Sequence, residues 1–165
     1  DALIAREPAL GHEAFAEQFF DGREFNIALL EERHALEVLP IAEMVFVDWP
    51  NDQPRIVGYD AKWAEETFEY SNTVRRFDTA EPALARELAR VATCAWNAMS
   101  MRDYARVDVR VDARNRVWLL EVNANPCLSP DAGYHAACAH AGRTLASAAN
   151  CWITRFRGAS PAPVR

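Results

Sequence analysis

YARVDVRVD (residues 104–112) and VWLLEVNANP (residues 117–126) are separated by ARNR (residues 113–116). Each alternates polar and apolar residues at period two, the pattern of a strand with one buried face. The break between them has hairpin length. Setting Asp112 opposite Val117 places Asp108 opposite Glu121 and Arg106 opposite Asn123. One face then takes Ala105, Val107, Val109 and Val111 with Trp118, Leu120 and Val122, and the other takes Arg106, Asp108, Arg110, Glu121 and Asn123. Like charges directly across a ladder destabilise it, so a hairpin that faces Asp108 with Glu121 needs a reason.

Upstream, HEAFAEQFF (residues 12–20) leads into Asp21-Gly22, a favoured turn dipeptide, and REFNIALL, ALEVLP and IAEMVFV follow as three further strand candidates. This predicts an antiparallel meander. WPNDQP (residues 49–54) reads as a loop, and GYDAKWAEETFEYS (residues 58–71) as irregular or partly helical. The clearest helix is TAEPALARELARVATCAWNAMS (residues 79–100), with Thr79 as cap, Pro82 in the first turn and a core stripe of Leu84, Leu88, Val91, Ala95 and Met99. After the hairpin come the loop NANPCLSPDAG and two Ala-rich helices, the second placing Leu145, Ala149, Trp152 and Phe156 on one face and ending at Gly158. Strands followed by helices on one sheet predict the α+β class, a mainly antiparallel sheet with helices packed on one face.

A chain of 165 residues, half of them hydrophobic, can bury a substantial core. A net charge of -6 and a pI near 5.2 argue against nucleic-acid and polybasic membrane partners. No apolar run approaches the roughly 18 residues of a membrane span and no signal peptide is evident, so a cytoplasmic protein is expected. Cys94, Cys127, Cys138 and Cys151 form no CxxC pair and no zinc spacing with histidine; Cys94 and Cys138 read as small buried hydrophobes. The chain opens at Asp1 within helical text, as a fragment or processed product would.

Asp108, Glu121 and Asn123 put three oxygen donors within two pleats of one surface, since alternate residues of a strand lie about 6.6 Å apart. A divalent cation with hard-oxygen preference fits that set, one or two carboxylates being completed by water and nucleotide phosphates. It would turn repulsion into shared coordination. The plainer alternative is an ordinary polar face on which Arg106 and Arg110 neutralise the acids. NANPCLSP is richer in apolar residues and proline than a casual turn, and its backbone N–H groups would lie just beyond the ladder, where an anion can sit.

DGREFNIALL, LPIAE, YDAK, YARVD and LLEVNANP, in this order and spacing, resemble the second half of ATP-grasp ligases, most closely the D-alanine-D-alanine ligase branch, over about Ala16 to Gly142. The resemblance implies an ATP-grasp large lobe over residues 17–157, the end of the small lobe over 1–16, a disordered tail over 158–165, and upstream domains outside this chain. It implies Asp108, Glu121 and Asn123 as ligands of two Mg2+ ions, with Mn2+ as a substitute, and Arg106 as the residue that steadies the transferred phosphate. Glu17, Gln18, Phe19 and Phe20 match the hinge strand that holds adenine through its backbone, Glu24 the acid on the ribose hydroxyls, and Lys62 a lysine that reaches the nucleotide.

The implied reaction is ATP-dependent joining of a carboxylate to an amine through an acyl-phosphate, with amino acids or peptides as substrates. That chemistry asks for positioning and charge neutralisation more than for a protein nucleophile. The chain departs from the branch at Cys127, where a glycine is usual, at Ala132, near the expected acceptor-binding serine, and at Trp63, where tyrosine is common. The resemblance therefore implies a ligase but not its acceptor. A non-catalytic ATP-grasp remnant, serving as a nucleotide-sensing or interaction module, is the alternative function.

Overall fold

The computed structural model describes residues 17–33 and 35–150. One antiparallel sheet contains β1 (Arg23–Glu32), β2 (Ala35–Val38), β3 (Ala42–Phe46), β4 (Thr73–Phe77), β5 (Tyr104–Val111) and β6 (Val117–Asn123). The helices are α1 (Tyr59–Trp63), α2 (Phe68–Asn72), α3 (Pro82–Ala98) and α4 (Gly133–His140), with a further helical stretch over 145–150. In space the strands run β4-β3-β1-β5-β6, and β2 pairs with the far end of β1. This is the α+β class expected from the hairpin outward.

Central strand β1 is covered on both faces, one apolar from Phe25 to Leu29 and the other apolar only at Ala28 and Leu30. Phe25, Ile27 and Leu29 point one way and join Val107, Val109 and Val111 of β5 beneath Leu84, Leu88, Ala92, Ala95 and Trp96 of α3. Ala28 and Leu30 point the other way and meet Leu39, Tyr134, Ala137, Cys138 and Ala148. Helix packing thus extends beyond the single expected face: α3 covers one side, and α4 adds a smaller cluster on the other, anchored by the Tyr134 hydroxyl donating to the Leu29 carbonyl at 3.1 Å.

Several local expectations are corrected. β4 was not among the predicted strands; its text TVRRF has no clean alternation to mark it. Residues 17–21 carry no regular structure, and Asp21-Gly22 makes no hairpin. Gly22 instead passes so close to β5 that a Cβ would lie 2.0 Å from the Val111 carbonyl oxygen, at φ +152°, which explains the glycine. Helix α3 is capped at Glu81 without a side-chain bond, not at Thr79, and Pro82 takes the first position. Its stripe turns further round than predicted: Ala92 and Trp96 are buried, while Met99 is 57% exposed just beyond the helix end. Cys94 is exposed, with Arg90 Nη1 at 3.8 Å. Trp152, Phe156, Gly158, the tail and the first 16 residues lie outside the described residues.

The β5–β6 register is the predicted one at the functional end, with Arg106 opposite Asn123 and Asp108 opposite Glu121. Between Asp108 and Val109 it shifts by one, so Val111 rather than Asp112 faces Val117. The bulge accommodates an extra residue on β6. Trp118 consequently faces Arg110 and stacks on Phe20, with centroids 3.8 Å apart, instead of entering the α3 core. Leu119 and Leu120 are about half exposed, at 51% and 47%.

Freed from the ladder, Asp112 organises the turn. Its carboxylate accepts from the backbone N–H groups of Arg114 and Arg116, the Arg116 guanidinium and the Trp118 indole, at 2.8 to 3.1 Å. Desolvation opposes the charge, but these bonds outweigh it and hold Asp112 well below the usual carboxylate range. A carboxylate whose pKa is depressed by folding stabilises above its unfolded value, about 3.9, and loses that contribution as pH falls toward its folded value. Asp112→Asn should therefore melt at a lower temperature than the parent at pH 7, and thermal melts should show the gap narrowing below about pH 4.

Candidate active site

The polar face of β1, β5 and β6, the short helices α1 and α2, and the loop from Asn125 to Gly133 enclose a cavity of about 580 Å³. The face is no ordinary solvated surface. Glu24, Asp108 and Arg110 are all buried, at 6%, 5% and 4% exposure. Charges so enclosed must be paired, and they are.

Arg106 grips Asp108 with two parallel bonds, Nε to Oδ1 and Nη2 to Oδ2, both 2.8 Å. Asn26 of β1, registered opposite Asp108, adds a bond from Nδ2 to Oδ1 at 3.0 Å. Burial works against the Arg106 cation, but Asp108, then Glu121 and Glu24, outweigh it and raise its pKa. Glu121 lies across the ladder from Asp108, lines the cavity, and makes no hydrogen bond or ion pair among the described residues. Asn123 Oδ1 accepts from the Asn125 N–H at 3.0 Å, leaving a second lone pair.

Glu24 is registered opposite Arg110 and forms a close ion pair with it. Burial pushes the Glu24 carboxyl up, Arg110 pulls it down, and nearby Asp108 adds to the upward push. Arg110 Nη1 also donates to the Phe20 carbonyl at 3.3 Å, tying the segment before β1 to the cavity floor. Arg110 thus neutralises Glu24 rather than the hairpin acids, the role the polar-face reading had suggested.

Of the ten residues singled out from sequence, Arg106, Asp108, Glu121, Asn123, Glu24 and Lys62 line this one cavity. Lys62 sits exposed on α1. Glu17, Gln18, Phe19 and Phe20 do not line it. Phe20 stacks on Trp118, and Phe19, 47% exposed, lies with its ring 5.2 Å from the Arg110 guanidinium. Sequence reading missed Asn26, Tyr70 and Arg75, which also line the cavity. Asn26 was legible as the polar interruption of an apolar strand; Arg75 was hidden with β4.

Among the described residues no three His, Cys, Asp or Glu side chains cluster as a metal site. The candidate donors remain two carboxylates and one amide. Cys127 Sγ lies 3.2 Å from Ser129 Oγ, which holds the thiol below its ordinary range, yet that partner is not a base.

A family model described as "D-ala D-ala ligase C-terminus" matches residues 3–150. The chain belongs to the D-alanine-D-alanine ligase C-terminal family. Within this ATP-grasp family the chain is 34% identical over 145 residues to a D-alanine–D-alanine ligase of Chromohalobacter salexigens, covering 86% of this chain and 42% of that protein. An uncharacterized protein of Sinorhizobium fredii is 31% identical over 138 residues, covering 84% and 39%. The crystal structure of D-alanine–D-alanine ligase from Bacillus anthracis complexed with ATP shares the fold at TM-score 0.63 and 17% identity, covering 86% of this chain and 41% of that one. The chain thus spans about two fifths of the length of such relatives. Among the described residues no helix is long and apolar enough to cross a membrane.

Breaking a buried ion pair from one side costs about 3–5 kcal/mol because a charge is left without a partner. Arg110→Met should destabilise the protein by about that amount, and Glu24→Gln in the Arg110→Met background should recover most of it. Denaturant unfolding of the single and double variants checks both.

Proposed function

We propose that the protein carrying this chain is a cytoplasmic, ATP-dependent carboxylate–amine ligase acting on amino-acid or peptide substrates, and that the cavity is its nucleotide and phosphoryl-transfer site. The observation that carries the reading is the bidentate Arg106–Asp108 pair with Glu121 across the ladder, inside a cavity of about 580 Å³. The family supports it: the relative from Chromohalobacter salexigens bears the name D-alanine–D-alanine ligase, and a structure of this fold was determined with ATP.

The donor set suits magnesium. Asp108, Glu121 and Asn123 offer hard oxygens, and they are few enough to leave places for water and phosphate oxygens. Bound there, Mg2+, or Mn2+ in its place, would neutralise charge on the phosphate oxygens. Glu121, without another partner, is the donor best placed to bind first, whereas Asp108 must share its carboxylate with Arg106.

The chain's own residues then divide the work. Arg106 holds its positive charge where negative charge develops, first as the phosphoryl group passes from ATP to the substrate carboxylate and then as the amine attacks the acyl-phosphate. Asp108 and Asn26 keep that guanidinium from turning, so little reorganisation is needed. Lys62, which also lines the cavity, would add a positive charge for the phosphates. Glu24, fixed by Arg110, presents a carboxylate oxygen to the ribose hydroxyls. The Glu17–Phe20 segment does not line the cavity but is tethered to its floor at the Phe20 carbonyl, so adenine would meet its backbone only by extending past the cavity's edge.

The test is amino-acid-dependent phosphate release by the full-length protein; no release with any free amino acid or dipeptide would defeat the reading. Arg106→Ala should lower kcat by about 10²- to 10³-fold while ATP affinity changes much less. Equal losses would make Arg106 a simple binding residue. Millimolar Mg2+ should raise the melting temperature of the parent, and Glu121→Gln should lose most of that rise, while being as stable as the parent or slightly more so without metal. A loss of stability in Glu121→Gln that ignores magnesium would remove the metal assignment.

A further inference from the structure

Asn26 is out of place on a central strand. Asparagine is depleted in strands, and β1 is otherwise apolar from Phe25 to Leu30. Its side chain makes one hydrogen bond among the described residues, from Nδ2 to Asp108 Oδ1 at 3.0 Å. A carboxylate has about four lone-pair positions, two on each oxygen. On Asp108 the Arg106 fork takes one from each, with Nε at Oδ1 and Nη2 at Oδ2, both at 2.8 Å. Asn26 takes the second on Oδ1. That oxygen is filled, and Oδ2 alone keeps a position open.

The two partners hold the carboxylate in different ways. Arg106 stands on β5 itself, two residues from Asp108, and its long stem lets fork and carboxylate turn together. Asn26 stands on β1, registered directly opposite Asp108 within the eight pairs of the central ladder, and carries its amide on a short stem. It therefore ties the carboxylate to a second strand, at a place where both residues line the cavity.

We propose that Asn26 is a positioning residue that restricts Asp108 to single-oxygen coordination and so makes the site prefer Mg2+ over Ca2+. This rests on the metal assignment within the ligase reading. Mg2+ takes single oxygens in near-ideal octahedral directions at about 2.0–2.1 Å, whereas Ca2+ takes about six to eight oxygens at about 2.3–2.6 Å and accepts both oxygens of one carboxylate. With Oδ1 occupied, Asp108 presents Oδ2 alone, which meets the first need and not the second. Without Asn26, Oδ1 regains an open position and no second strand stops the carboxylate from turning. The Arg106 fork can then slip to end-on contact, and both oxygens become available to one large cation. Hydrogen-bonded partners of metal-binding carboxylates work in this manner, orienting the ligand without touching the ion.

The test titrates the full-length protein with magnesium chloride and, separately, with calcium chloride, reading the affinity of each metal alone by calorimetry. In the parent, Mg2+ should bind more tightly than Ca2+. Asn26→Leu removes the donor at similar size; it should weaken Mg2+ binding about 10- to 100-fold, the usual loss when a ligand's hydrogen-bonded partner is removed, while Ca2+ binding strengthens or changes less than about twofold. Asn26→Gln, which keeps the amide on a longer stem, should retain part of the Mg2+ preference. Circular dichroism melts without metal report folding; if Asn26→Leu does not fold, Asn26→Ala carries the comparison. The proposal is overturned if the parent binds both cations alike, if the folded variant keeps the parent's preference, or if it loses both cations in equal measure, which would make Asn26 a purely structural tie. If neither cation binds the parent, the metal assignment falls and the Asn26 role with it. Because the readout is metal binding, a protein that shows the predicted shift but releases no phosphate would refute the ligase reading and leave the Asn26 role standing.

Discussion

The pairing of β1 with β5 holds the rest in place. Eight residue pairs, from Arg23 opposite Val111 to Leu30 opposite Tyr104, run through the centre of the sheet. On one face they bring Phe25, Ile27 and Leu29 to Val109, Val107 and Ala105 under α3. On the other they bring Glu24 to Arg110 and Asn26 to Asp108. Because side chains alternate at period two, a slip of one residue would send the carboxylates into the core and the valines into the cavity. The apolar face therefore holds the polar one in register, and the accuracy of the candidate site is borrowed from packing on the far side of the sheet.

The polar face is organised by pairing. There Arg110 holds Glu24 and Arg106 holds Asp108, while on the α3 face Arg23 forks onto Glu43 with two bonds of 2.7 Å. Each of these acids meets a guanidinium, which suits such tight positions better than an ammonium. Among the charges that line the cavity without an ion pair are the Glu121 carboxylate and the Arg75 fork. Opposite charges left open in the same cavity are complementary to a ligand that is itself both cation-bearing and anionic, as a metal-bound nucleotide beside an amino acid would be.

Much of this was legible in the sequence for a physical reason. The period-two alternation of YARVDVRVD states which side chains share a face, and the short ARNR break limits the register, so Arg106, Asp108, Glu121 and Asn123 could be grouped before any coordinates. What alternation does not encode is an inserted residue. The bulge after Asp108 moved Trp118 to the cavity side and exposed Leu120. Partners brought together across long separations were also hidden: nothing local in TVRRF places Arg75 beside Gly133, and nothing in DGREF says that Arg110, 86 residues on, will neutralise Glu24. The segment Glu17 to Phe20, a hinge strand by resemblance, carries no regular structure, and Gly22 just after it passes close to β5.

The irregularity in β6 also bears on how the molecule behaves in a crowd. β6 ends the sheet among the described strands, and it carries two adjacent half-exposed leucines, Leu119 and Leu120. A flat edge with that text would offer its unpaired backbone groups and a greasy surface to any other strand it met. The extra residue bends and twists the strand at that spot, so a straight incoming strand cannot match its hydrogen-bonding spacing. The same local irregularity that carries Trp118 to the cavity side thus helps keep separate copies from zipping together into aggregates.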